Sequence, residues 1–284
     1  MIPAPFEYTA PSSVDDAVGA LREGGEDAKV LAGGQSLIPL LRLRFAGPSV
    51  LVDLGRIDEL RGVRDDGDAL VIGAMTTHSA VLRDPLVRDH APLISAATAT
   101  VADRQVRHRG TFGGSLAHAD PAGDLPAVAV ALDATMEIAG AGGRRTVPAA
   151  EFFVDYLESA VGPDEVLVSV RVPKWPGWSA HYEKFNRMAQ GWALVGVAAL
   201  VRRDNGSIAE ARLALTNMGP TPVRASAVES ALTGVAASDA AAVAAATARA
   251  GEGTRPSDDL SASADYRRHL VTVIARRAVL AAAS

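Results

Sequence analysis

Two short stretches of this chain are built to act through main-chain atoms. In "KVLAGGQSLIPLLRLR", residues 29–44, an apolar run ends in Gly33-Gly34 and turns into what reads as the first turn of a helix. In "GTFGGSLAHADPAGDLP", residues 110–126, Gly113-Gly114 stand before Ser115 in the same way. Glycine has no Cβ, so a ligand oxygen can come against backbone N–H groups, and the start of a helix adds partial positive charge. Two such turns in one domain can grip both phosphates of a pyrophosphate. One glycine pair alone usually just makes a tight turn. The second pair, inside a long polar stretch from Asp103 to Pro126, moves the reading toward binding, because long loops in compact domains are usually functional. Neither stretch matches G-x-G-x-x-G or G-x-x-x-x-G-K-[ST].

Side-chain chemistry is less well supported. The six histidines have none of the spacings of a standard metal site. His108 and His118 sit in the glycine loop and are candidates to face a ligand; His78, His90, His181 and His269 are expected to be exposed or half-buried. Asp120 and Asp124 suggest a magnesium pair, but their separation in a proline-interrupted loop argues against one. "GGSLA" at 113–117 partly mimics a nucleophile elbow, with Ser115 as the serine. An elbow needs an apolar strand just before the serine, and "RQVRHRGTF" is charged and broken by glycine. A serine hydrolase is therefore the weaker alternative.

The elements that must hold the two turns follow from periodicity. Ser13 precedes Val14, Ala17, Val18 and Leu21, an i, i+3, i+4, i+7 set that predicts a helix. "AKVLA" is a short buried strand, and after Gly33-Gly34 Ser36 is the expected N-cap of the next helix, with Pro39 tolerated in its first turn. "SVLVDL" predicts another strand, and "LRGVRDDGDALVIGA" two strands about an Asp-Gly turn. Thr76 or Thr77 caps the helix after them. A helix over Pro85 to Val101 gives way to a stretch too glycine-rich and polar for a regular element. "LPAVAVAL" is an apolar helix; "ATMEIAG", "RRTVP" and "EVLVSVRVP" are strands. Past "KWPGW" come three long strands, "SAHYEKFNRM", "ALVGVAALVRR" and "SIAEARLALTNM", the last two joined at Asp204-Asn205-Gly206, then helices near 223–232, 238–250 and 263–282. Strands followed by helices argue for an α+β second domain. The alanine-rich run "AAAVAAATARA" reads as helix.

The 284 residues favour two domains. With 28 basic and 33 acidic residues, a net charge of −5 and no like-charge block, nucleic acid is not an expected partner. There is no cysteine, so the chain supplies no thiolate to zinc or to an ordinary iron–sulfur cluster. The N-terminus has no signal-peptide pattern and no apolar run reaches the ~20 residues that span a bilayer, so a cytoplasmic location is expected.

"LAGGQSLIPLLRLR" and "ADRQVRHRGTFGGSLAHADPAGDLPAVAVALDA" together resemble the FAD-binding medium subunit of molybdenum hydroxylases, the group with carbon monoxide dehydrogenase and xanthine dehydrogenase. "GAMTTHSAVLRD", "DEVLVSVRVP" and "YEKFNRMAQGWALVGVA" extend the likeness over nearly the whole chain. The resemblance implies an α+β fold: a two-subdomain FAD-binding domain of the vanillyl-alcohol-oxidase type over residues 1–176 (subdomains about 1–55 and 56–176), then a smaller α+β C-terminal domain, 177–284, with an antiparallel sheet and helices. It implies non-covalent FAD, since Gln35 stands where a histidine carries a covalent flavin in some flavoproteins.

Site roles implied by the resemblance begin with Ala32, Gly33, Gly34, Gln35, Ser36 and Leu37 at the pyrophosphate and ribityl chain, closed on the other side by Thr111, Gly113, Gly114 and Ser115. Asp124 would bond the ribityl hydroxyls, Thr76 and Leu167 would lie near flavin or adenine, and Lys184 near the isoalloxazine ring, where a cation would stabilise the charge of a reduced flavin. Trp192 stands where some members have a tyrosine that stacks on the ring; an ordinary core aromatic is the equal alternative. No side chain need act as acid or base, and no metal site is expected. The implied partners are a small iron–sulfur subunit and a large molybdenum-cofactor subunit, with NAD+, oxygen or a quinone as terminal acceptor. A free-standing flavin oxidase and a redox-inactive FAD-binding module are the competing functions.

Overall fold

The computed structural model describes residues 2–284. The N-terminal part begins with β1 (Glu7–Thr9), α1 (Val14–Gly24), β2 (Ala28–Leu31), α2 (Leu37–Leu43) and β3 (Val50–Asp53). Its three strands form a parallel sheet in the order β1-β3-β2. Helix α1 forms where its periodicity predicts: the Ser13 hydroxyl accepts from Asp16 N–H at 3.1 Å, and Val14, Ala17, Val18 and Leu21 are buried. Sequence alone missed β1, whose three residues carry no clear alternation.

Next come β4 (Val63–Asp65), β5 (Ala69–Gly73), α3 (His78–Arg83), α4 (Pro85–His90), α5 (Pro92–Ala99), α6 (Arg104–Arg109), α7 (Phe112–Ala117), α8 (Asp124–Ala131), β6 (Thr135–Gly140), β7 (Gly143–Pro148), α9 (Ala149–Phe152), β8 (Phe153–Asp155), β9 (Glu158–Ser159) and β10 (Val166–Pro173). β4-β5-β10-β6-β7 make an antiparallel sheet, and β8 pairs with β9 in a separate hairpin.

Two expectations need correction here. The helix over Pro85–Val101 is two helices, because Pro92 cannot donate in a helix interior but starts α5 well. The stretch from Asp103 to Pro126 is not an irregular loop. It holds α6 and α7 and runs into α8, and side-chain caps offset the unfavourable composition: Asp103 Oδ1 accepts from Val106 N–H at 2.9 Å, and Thr111 Oγ1 from Gly114 N–H at 3.2 Å.

The remainder is β11 (Trp178–Phe185), β12 (Val195–Asp204), β13 (Ser207–Thr216), β14 (Val223–Arg224), α10 (Ser226–Leu232), α11 (Ala240–Thr247) and α12 (Ala264–Ala282), with an antiparallel sheet β11-β12-β13-β14. Asn205 (φ 47°) and Gly206 (φ 81°) turn β12 into β13 through left-handed backbone, as a two-residue hairpin requires. Period-two alternation splits β12 between two cores. Val195, Val197, Ala199 and Val201 pack with Leu270, Val271, Ile274 and Ala278 of α12, whereas Ala198 and Leu200 pack with α8. All eight residues of α8 are buried, which explains why "LPAVAVAL" is apolar all round rather than striped. The N-terminal end of α8 is thereby pinned between the second sheet and the third. Among the described residues, no helix is long and apolar enough to cross a membrane.

Candidate cofactor site

The β2–α2 turn and the α6–α7 segment meet. A Cβ on Gly33 would stand 2.4 Å from the Arg109 carbonyl oxygen and 2.7 Å from Gly110 Cα, so only glycine lets the two bends touch. Gly34 has φ +72°, left-handed backbone that strains any other residue. Beside this contact opens a cavity of about 420 Å³. Ala32, Gly33, Gly34, Gln35, Ser36 and Leu37 form one wall, Gly110, Thr111, Gly114, Ser115 and His118 another, and Lys29, Leu157, Val161 and Glu165 its far end.

The two bends are not equivalent. Ser36 was the expected N-cap of α2, but its backbone is already helical (φ −102°, ψ −48°) and its hydroxyl caps nothing. Among the described residues, the amides of Gly34, Gln35 and Ser36 have no acceptor in the protein. At the second bend the donors are satisfied internally: Gly113 N–H by Ala74 O at 2.9 Å, Gly114 N–H by the Thr111 hydroxyl, and Ser115 N–H by Thr111 O at 3.1 Å. Most open donors therefore come from the first bend; the second closes the cavity and, among the described residues, leaves only the Thr111 N–H without an acceptor. An anion with several oxygens suits such a donor set, because buried or half-buried N–H groups without partners are costly. The residues present fit a diphosphate.

Ser115 lies inside α7 and donates its hydroxyl to Phe112 O at 2.7 Å. A nucleophilic serine needs that proton near a base and a strained strand-to-helix turn. The geometry offers neither, and the hydrolase alternative fails on it.

Several other expected site residues lie outside this cavity. Gly113 is a packing glycine whose Cβ would meet Ala74 Cβ at 2.4 Å. Thr76 is buried and donates to Gly62 O at 3.0 Å, and Leu167 is in the core of the second sheet. Trp192 is 59% exposed, which removes the core-aromatic reading. Asp124 and Lys184 form a buried pair: Lys184 Nζ donates to Asp124 Oδ2 at 2.8 Å and to Thr100 O at 3.2 Å, while Tyr182 Oη donates to Asp124 Oδ1 at 2.7 Å. Tyr182 and Lys184 are two apart on β11, so both side chains point to one face, toward α8. Burial pushes the Asp124 carboxyl above its ordinary range, opposed by Lys184 and Tyr182. Burial, then Asp124, raises the Tyr182 phenol well above 10, which keeps it a donor. That i, i+2 spacing was the available signal for Tyr182, and the sequence reading passed over it.

His78 also escaped. It was expected to be exposed or half-buried, yet it is 4% exposed and lines the cavity. The Thr77 hydroxyl caps α3 by accepting from Ala80 N–H, and His78 N–H donates to Gly110 O at 2.9 Å, which draws this first residue of α3 against the second bend. His118 does line the cavity, while His108 lines a separate cleft of about 270 Å³ with Asp53, Arg56 and Arg109. His90 and His269 are exposed and His181 is half-buried. Among the described residues, no three His, Cys, Asp or Glu side chains converge as metal ligands.

Residues 4–175 match the family model of the FAD binding domain in molybdopterin dehydrogenase, and residues 180–282 that of the CO dehydrogenase flavoprotein C-terminal domain. The chain belongs to the FAD-binding medium chains of the molybdenum hydroxylase family. It is 43% identical to the carbon monoxide dehydrogenase medium chain of Hydrogenophaga pseudoflava, over 99% of this chain and 98% of that one. It is 37% identical to the 6-hydroxypseudooxynicotine dehydrogenase complex subunit alpha of Paenarthrobacter nicotinovorans, over 98% and 94%. Among solved structures, carbon monoxide dehydrogenase from Hydrogenophaga pseudoflava superposes with a TM-score of 0.96 at 44% identity, covering 99% of this chain and 98% of that one. Quinoline 2-oxidoreductase from Pseudomonas putida 86 gives 0.96 at 36% identity, covering 100% and 98%. This medium chain is thus an FAD-binding oxidoreductase subunit with the expected α+β fold.

Proposed function

We propose that this medium chain is the flavin-bearing subunit of a heteromeric molybdenum hydroxylase, with FAD's diphosphate held in the cavity between the two bends. The carrying observation is the set of open amides at Gly34, Gln35 and Ser36 facing the closed bend at Gly114 and Ser115. Ala32, Gly33 and Leu37 shape the first wall, and Thr111 holds the second by capping α7. Gly113, Thr76 and Leu167 support these walls by packing. Asp124 and Lys184, at the α8–β11 junction, are assigned to the ribityl and ring end of FAD, and Trp192 to the exposed rim.

When bound, FAD supplies the redox chemistry, taking electrons singly and giving them up in pairs. The chain's own part is to bind, orient and partly shield it. With no cysteine in the chain, the iron–sulfur clusters that feed FAD belong to a small partner subunit, and the molybdenum cofactor to a large one. Names of the relatives point to carbon monoxide, 6-hydroxypseudooxynicotine and caffeine alike, which supports a substrate site in another subunit. Ile38, Leu43 and Phe45 on and just after α2, and Val154, Tyr156 and Leu157 of the β8–β9 hairpin, are exposed apolar side chains on two segments that both line the cavity, through Leu37, Leu40 and Leu157. Exposed apolar surface of this kind marks interaction sites, which favours a subunit over a free-standing oxidase. NAD+, oxygen or a quinone is the terminal acceptor.

The visible absorbance spectrum of the purified chain tests the binding claim, with oxidised-flavin bands at one equivalent expected. Native mass spectrometry of the complex tests the rest. A chain that runs alone and turns over a small substrate would overturn the subunit assignment.

A further inference from the structure

His78 is a buried imidazole that the protein leaves incompletely used. Its Nδ1 is buried without any hydrogen-bond partner. The opposite ring edge lies against Gly110, where a Cβ would come within 2.9 Å of His78 Cδ2 and 3.2 Å of Nε2, and both residues line the cavity. Leaving an acceptor unpaired costs less than leaving a donor unpaired, so the proton belongs on Nε2, the edge that shares the cavity wall. We propose that His78 is a further binding residue for FAD, its Nε2–H donating to a phosphate oxygen of the diphosphate beside the open amides of the first bend. This rests on the reading that the diphosphate occupies the cavity.

A consequence follows for proton linkage. Burial, and then the Arg107 guanidinium on α6, hold His78 at about 4, so it is neutral at ordinary pH. The other ionisable groups on the cavity wall are Lys29 on β2, His118 after α7 and Glu165 before β10. A phosphate oxygen against Nε2 favours the imidazolium, but the second proton would sit on Nδ1 as a buried donor with no acceptor. The ring therefore stays the neutral Nε2–H donor when FAD binds, with no proton taken up at His78 between pH 5.5 and 7.5.

The test uses the full-length, deflavinated chain and isothermal titration with FAD at pH 5.5 and 7.5, in buffers of different ionisation enthalpy. Any proton uptake at pH 5.5 should be the same in wild type and His78→Gln. His78→Leu should weaken FAD about ten- to a hundredfold, the scale of a hydrogen bond to a charged group, and leave riboflavin, which has no phosphate, unaffected. His78→Gln keeps a donor without a titrating ring; it should restore affinity at both pH values. Unchanged FAD affinity in His78→Leu, or a proton uptake in wild type that His78→Gln lacks, would overturn the assignment; His78→Asn, which reaches only as far as Nδ1, replaces His78→Leu should that variant not fold. Gly34→Val separates the two layers. If Gly34→Val loses FAD while both His78 variants match wild type, only the histidine assignment falls; if Gly34→Val binds normally too, the cavity reading falls.

Discussion

Lys184 Nζ lies 2.8 Å from Asp124 Oδ2, with side chains 6% and 4% exposed, and so ties β11 of the C-terminal domain to the first residue of α8. A buried ion pair gains little over an apolar substitute, but removing one partner strands a charge. Lys184→Met should therefore destabilise the chain by about 3–5 kcal/mol, measured by chemical denaturation. Asp124→Asn in the same background should return part of that loss. A stability unchanged by Lys184→Met would mean that the pair is not formed in solution.

The contact between the bends makes its glycines unequal. Gly33→Ala drives a methyl into the Arg109 carbonyl and should cost about 1–3 kcal/mol through overpacking. Gly114→Val meets the Thr111 hydroxyl at 2.5 Å, loosening the cap of α7 and filling the cavity mouth. Both should lower FAD content about tenfold or more, read from the flavin absorbance of equal protein amounts. Full flavin occupancy in Gly114→Val would remove the binding role of the second bend.

His78 sets an acid limit on the apo-protein. Its folded value of about 4 lies below its unfolded 6.5, so the unfolded chain binds the proton more readily. The stability it contributes is complete above pH 6.5 and is lost as pH falls through 4, about 3 kcal/mol in all at 1.36 kcal/mol per unit. Thermal melts between pH 7 and 4.5 should show a shallower decline for His78→Gln than for wild type. Parallel curves would contradict the burial of a neutral ring.

Ser115→Ala loses only a hydroxyl bonded to Phe112 O. FAD affinity should stay within about fivefold of wild type, since a neutral hydrogen bond is worth about 1 kcal/mol, and a serine-reactive phosphonate should label neither form. Stoichiometric labelling of wild type at Ser115 would revive the hydrolase alternative.

Much of this protein is written locally. The glycine pairs at 33–34 and 113–114, the alternation along β12 and the Asn205-Gly206 turn act through backbone sterics and side-chain period, which depend on near neighbours in sequence; the family likeness rests on the same local strings. Tertiary structure decided what those strings do to each other. Only packing made α8 buried on every side, gave the open amides to the first bend while Thr111 and Ala74 took those of the second, turned Gly113 from binding to packing, and enclosed His78 at Gly110. Whether a polar group finds a partner depends on what the fold brings against it from far along the chain, and no local pattern encodes that distance.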